Sequence, residues 1–139
     1  MDQDCPTPTP LAKKLGLKPG QRRFVLRPPD DFFGGLVPDD RSDWLVKPTA
    51  PIDFVHAFCR SKSEAVEVVA AIRPKLAETG MIWISWPKKA SGMSTNLTED
   101  GIREIAFAHD LVDVKVCSVD ATWSALKLVI RVALRKAIR

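Results

Sequence analysis

Apolar residues fall along this chain in two kinds of pattern. "IDFVHAFC" (52–59) and "MIWISW" (81–86) are apolar runs without clean alternation. A strand covered on both faces reads this way, because neither face meets water. "RRFVLRP" (22–28) is a shorter version, stopped by Pro28 and Pro29. The other pattern is periodic. Ala65, Val69, Ile72 and Leu76 recur at helical spacing, and Ser61 and Glu64 have the spacing of a capping box. Gly80 is expected to stop that helix, and Pro74, which lacks an N–H, to kink or break it near Ile72–Arg73. Thr98 is expected to cap a second helix, "TEDGIREIAFAHD", with Ile102, Ile105, Ala106 and His109 on one face. "LVDVKVCSV" has period-two character at Val112, Val114 and Val116. After a turn at "DATWS", "ALKLVIRVAL" puts Leu126, Leu128, Ile130 and Val132 on one face. The short connection predicts an antiparallel pair.

The first third is less regular. "PLAKKLGLKPGQ" reads as one or two helical turns ended by Gly16 and Pro19–Gly20. "DDFFGGL" offers a short helix capped by Asp30 or Asp31, and "DWLVKP" an edge-like strand. Strands alternating with helices and closing on a hairpin give an α/β fold: a small three-layer sandwich, its sheet mostly parallel with an antiparallel C-terminal hairpin strand.

At 139 residues the chain has the length of a single domain, 1–139, with one hydrophobic core. Residues 1–10, "MDQDCPTPTP", read as a disordered acidic, proline-rich start without the basic and apolar regions of a signal peptide. No apolar stretch approaches the roughly 20 residues that span a bilayer. The expectation is a cytoplasmic protein with no membrane partner. Cys5, Cys59 and Cys117 are far apart and odd in number, which argues against a zinc site and a disulfide framework. The charge of +4 is spread along the chain and does not by itself point to nucleic acid.

Two resemblances add to this reading. "LGLKPGQRRFVL", "RPKLAETGMIWISWP" and the closing "LVDVKVCSVDATWSALKLVIRV" resemble class I S-adenosylmethionine methyltransferases, which implies a Rossmann-like fold. "TPLAKKLGLKPGQ", "SWPKKASG", "TNLTEDGIRE" and "LVDVKVCSVDATWSALKLV" are similar to an uncharacterised bacterial family, domain of unknown function 3052, which implies no known activity. Against the methyltransferase pattern, the glycine-rich loop expected after the first strand reads "LRPPDDF", and the acid expected after the second reads "VKPT". The stretch from the first strand to "IDFVHAFC" is too short for two further crossovers. The cofactor half is therefore expected to be missing or reduced.

In an open parallel sheet, ligands sit beyond the carboxyl ends of the strands. Those ends carry Arg27, Arg60–Ser61 and Lys88–Lys89. Ser61 starts a helix, whose free amides favour an anion, and Trp86 offers a ring to stack on. Solvated lysines and a Trp86 packed under its loop are the simpler reading of the same residues. His56 reads as a hydrogen-bonded core residue, His109 as a helix end, Cys59 as a buried thiol and Asp120 as a turn former. Trp123 packs over the hairpin or marks a partner surface. No P-loop, GxGxxG, HExxH or nucleophile–base–acid arrangement occurs, so no catalytic residue, metal or cofactor is assigned. The resulting expectation is a non-catalytic domain holding an anionic small molecule or an acidic protein segment through Arg27, Arg60, Ser61, Trp86, Lys88 and Lys89. The alternative is a reduced methyltransferase-like enzyme, completed by a second subunit. Self-association stays open, and a third reading gives the basic tail (Arg131, Arg135, Lys136, Arg139) phosphate contacts.

Overall fold

The computed structural model describes residues 11–18, 20–30, 32 and 44–131. Helix α1 (Leu11–Leu15) precedes β1 (Arg23–Leu26), β2 (Ile52–Phe58), α2 (Lys62–Ile72), β3 (Leu76–Pro87), α3 (Glu99–Ala108), β4 (Leu111–Ser118) and β5 (Trp123–Ile130). The sheet order is β1-β2-β3-β5-β4. β1, β2 and β3 are parallel; β5 runs antiparallel between β3 and β4. The chain is thus a mixed α/β, Rossmann-like fold with helices packed on the sheet. The expectations for residues 1–10, for most of "DDFFGGL" and for Val132 lie outside the described residues. No helix among those described is long and apolar enough to cross a membrane.

The apolar runs lack alternation because both faces of β2 and β3 are buried. Val55, Ala57, Ile82 and Ile84 join Ala65, Val69 and Ile72 of α2 and Ile102 and Ile105 of α3 in one core. Phe54, Phe58 and Trp83 face the other way and pack with Leu15 of α1, Phe32 and Trp123. The buried Trp83 indole N–H donates to the Leu15 carbonyl at 2.8 Å, docking α1 on the sheet.

Three sequence expectations are corrected. The break expected near Ile72–Arg73 is present, but the helix does not resume: Arg73–Lys75 form a 3-10 turn, and the chain is extended from Leu76, which the spacing predicts on the helix. Gly80 therefore lies inside β3, where the register against β2 shifts between Ile52 and Phe54. The described part of "DWLVKP", from Trp44, forms no strand; Trp44 makes one parallel bridge to Arg23, and Pro48 and Pro51 supply no ladder donors. Val112, Val114 and Val116 do not share a face. A bulge between Asp113 and Lys115 resets the alternation, so Val112 lies opposite Val129 and Val116 opposite Leu126, on opposite sides of the sheet.

Gly80 is required by close approach. A Cβ there would lie 2.8 Å from the Ile52 carbonyl oxygen and 2.9 Å from Leu76 Cδ1. Gly80→Ala is expected to destabilise the protein by about 1–3 kcal/mol. Equilibrium urea unfolding checks this, with the midpoint falling and the slope unchanged.

Candidate functional site

The parallel register brings the three strand exits to one edge. Leu26 lies opposite Ala57, Ala57 opposite Ile84 and Phe58 opposite Ser85, so Arg27, Arg60 and Lys88 all leave at the carboxyl end. β4 runs the same way as β3 and ends beside them at Ser118. The side chains then diverge. The Arg60 guanidinium lies 5.5 Å from the Trp123 ring centroid. Lys88 Nζ donates to Ser118 Oγ at 2.6 Å, while its backbone N–H donates to the Thr122 carbonyl. Trp86 and Lys89 turn to the α3 side. Exposed Arg27 has φ of +53°, in the left-handed region that a non-glycine residue rarely adopts. It is near enough to Cys59 to act on its thiol electrostatically.

Helix α2 presents few free amides to this edge. Ser61 Oγ accepts from the Glu64 N–H at 3.2 Å, and Asn96 Oδ1 accepts from the Lys62 N–H at 2.8 Å. The Glu64 carboxylate reaches back to the Arg60 N–H at 2.6 Å and sets a negative charge there. The capping box predicted from Ser61 and Glu64 is formed, one residue displaced on the Glu64 side, and it uses the groups an anion would need.

An open groove of about 810 Å³ lies between the β3 exit and α3. Trp86, Pro87 and Lys89 form one wall; Met93, Thr95 and Leu97 come from the following loop; Thr98, Glu99, Asp100 and Arg103 come from the start of α3. Arg103 bonds Asp100 at 2.8 Å and Asp113 at 2.9 Å, and also pairs with Glu99. The α3 wall is therefore ordered and mixed in charge. Of the predicted site residues, Trp86 and Lys89 share this groove; Arg60 and Lys88 face the hairpin; Ser61 belongs to the α2 cap. The groove's α3 wall was missed. The Glu99–Arg103 and Asp100–Arg103 spacings are visible in the sequence, but the Asp113 partner depends on the fold.

The simpler readings of the remaining residues hold. Cys59 is buried, and its thiol is pushed up to about 12, first by burial and then by Glu64, with Arg27 opposing. It is no nucleophile in this state. Trp123 is buried edge-on against Phe58 at 5.1 Å. Asp120 Oδ1 accepts from the N–H groups of Thr122 and Trp123, shaping the hairpin turn. His56 is fully buried, stacked on Phe58 at 4.3 Å, with Nε2 2.6 Å from Ser85 Oγ. Among the described residues, no group of three or more His, Cys, Asp and Glu side chains could hold a metal ion.

No known family and no curated protein matches the chain in sequence. Its likeness is to solved structures. Magnesium protoporphyrin IX methyltransferase (ChlM) from Synechocystis PCC 6803, with bound SAH, shares 12% identity over 81% of this chain and 74% of its own, at a TM-score of 0.56. The ribosomal protein L11 methylase of Lactobacillus delbrueckii subsp. bulgaricus shares 8% over 85% and 73%, at 0.53. The Methanococcus jannaschii fibrillarin pre-rRNA processing protein shares 10% over 89% and 70%, at 0.52. LepI in complex with SAM shares 15% over 87% of this chain, which spans only 39% of LepI's length. Several of these structural neighbours are named as methyltransferases or methylases, or hold SAM or SAH. They overturn the expectation of a non-catalytic domain holding an anion or acidic partner at the carboxyl edge, and the occupied α2 amides agree with that correction.

Burial holds the His56 imidazole down at about 3, against an ordinary 6.5. It is neutral in the fold, whereas the unfolded chain takes up a proton as pH falls below 6.5. Stability is therefore lost between about pH 6.5 and 3, by roughly 1.5 kcal/mol from pH 6.5 to 5. Urea titrations at those two pH values check the loss, and NMR titration should find the His56 ring neutral at pH 5. A His56 that titrates near 6.5 in the folded protein would exclude the buried placement.

Proposed function

We propose that this chain is a reduced methyltransferase-like enzyme, of the class that uses S-adenosylmethionine. The observation that carries the reading is the strand order, with an antiparallel β5 placed between β3 and β4 beside a parallel β1-β2-β3 set. The enzymes with this likeness include some solved with SAM or SAH bound. The ligand position in this reading is the carboxyl edge, where open sheets of this kind bind. Trp86 and Lys89 would line the substrate groove, and Arg27, Arg60 and Lys88 the rim beside it. In this reading the chain would also belong with domain of unknown function 3052, to which "SWPKKASG" and "TNLTEDGIRE" are similar and which has no assigned chemistry, although no family model matches the chain.

The described residues do not fit the cofactor in the manner usual for such sheets. A glycine turn after β1 would offer backbone N–H groups at close approach. Here Arg27 occupies the positive-φ position, and Pro28 and Pro29 have no N–H to give. Between β1 and β2, the described chain adds the Phe32 N–H bond to the Pro29 carbonyl, the Trp44 bridge and the Leu45 N–H bond to the Arg23 carbonyl at 2.6 Å; its one described carboxylate there, Asp30, follows β1 directly and not a second strand, where an acid for a ribose is expected. This mismatch is why the proposal is for a reduced enzyme, with the nucleoside half completed by a second subunit and only residual affinity in the chain itself.

Isothermal titration and thermal shift of the full chain with S-adenosylmethionine and S-adenosylhomocysteine test this. Saturable binding of both is expected, weakened by Trp86→Ala and absent for ATP and inorganic phosphate. Lack of binding at millimolar ligand, or an equal response to ATP and phosphate, would overturn the reading.

A further inference from the structure

Five lysines gather on the α1 side of the hairpin, away from the α3 groove. Lys13 and Lys14 lie on α1, Lys18 just after it, and Lys115 and Lys127 face each other across β4 and β5. A second groove, of about 470 Å³, is lined by Lys13, Lys14, Lys115, Val116, Cys117 and Ser118. Lys115 Nζ donates to the Lys14 carbonyl at 3.4 Å. Burial, then Lys115, then Lys18 lower the Lys127 ammonium below its ordinary value. Among the described residues, no carboxylate forms an ion pair with any of the five. The β4 acid, Asp113, is held by Arg103 at 2.9 Å on the other face.

Like charges directly opposite on paired strands destabilise a sheet, and β-branched residues would suit both positions better. Charge that no described acid pairs with, kept at such a cost, points to an anionic partner. We infer that this lysine face is a docking surface for a nucleic-acid phosphate backbone. One small anion meets two or three of these ammonium groups; a repeating polyanion meets all of them. The surface also continues along β4 for about 10 Å, from Lys115 to Ser118, where Lys88 is hydrogen-bonded. Lysines act as point charges without the guanidinium fork that reads bases. Of the tryptophans on this side, Trp83 and Trp123 are buried, and the half-buried Trp44 is engaged by Phe32, Phe54 and Arg23, so none is a free stacking platform. The contact is therefore with backbone and independent of sequence. At five residues, α1 is too short to act as an interfacial membrane helix. This inference is independent of the methyl-donor reading, and either can fail without the other.

The test is fluorescence anisotropy of the full chain with labelled 20-base-pair RNA and DNA duplexes of random sequence. Binding at 50 mM salt is expected to weaken roughly 40- to 500-fold at 200 mM, for three to five phosphates neutralised. Lys115→Ala with Lys127→Ala should lower the log–log salt slope by about two while leaving Tm unchanged or raised, since it relieves repulsion. Lys62→Ala, on α2, should leave affinity unchanged. The inference is overturned if wild type does not bind duplex at 50 mM salt, or if the double variant binds as tightly. It is also overturned if Lys62→Ala loses as much, or if inorganic triphosphate or phosphatidylserine vesicles bind better than duplex.

Discussion

β3 must keep both its faces and both its edges out of water at once. Its backbone is paired in parallel with β2 and antiparallel with β5, while its side chains enter two separate cores. A one-residue slip would exchange Ile82 and Ile84 with Trp83 and Ser85, so the register is fixed from both sides. Polar atoms sharpen the constraint. The Trp83 indole needs an acceptor and finds it in Leu15 of α1; Ser85 sits against His56 of the neighbouring strand. Burying either donor unpaired costs about 1–3 kcal/mol. The side of the sheet that α1 covers is therefore specified by hydrogen bonds as well as by apolar area.

Much of this was legible in the sequence because it is local. The unbroken apolar runs marked β2 and β3, and Ser61, Glu64 and Thr98 marked the helix starts. Pro74 marked the break, though propensity alone could not show that the chain goes straight into β3 there instead of resuming the helix to Gly80. What stayed hidden depends on register. The bulge in β4 has no glycine to announce it, so three valines at period two look like one face. The α3 groove needs Asp113 brought to Arg103 across ten residues, and the lysine face needs α1 laid against the hairpin. Neither juxtaposition has a signature in spacing.

The carboxyl edge shows how two correct readings can compete. Ser61 and Glu64 signal a well-capped helix, and a helix start signals an anion site. Both draw on the same few N–H groups, and capping takes them whenever the chain supplies its own acceptors. Ser61, Asn96 and Glu64 do so here. The three strand exits share one edge, but the side chains diverge there, and the amides that would have made it a pocket are already bonded. Trp123 had a similar fate, its ring buried against Phe58 with Arg60 over it.

The bulge between Asp113 and Lys115 also sorts charge. In a regular strand, residues two apart share a face, and this acid and base would largely neutralise each other. The extra residue turns them to opposite sides. Asp113 then completes the cluster around Arg103 that orders the α3 wall of the larger groove. Lys115 is left opposite Lys127, among lysines that no acid of the described residues pairs with. One local irregularity thus gives the hairpin a neutralised face toward the α3 groove and a cationic face toward α1. The two meet at the strand end, where Ser118 borders the lysine groove and binds Lys88, two residues beyond Trp86 of the larger one.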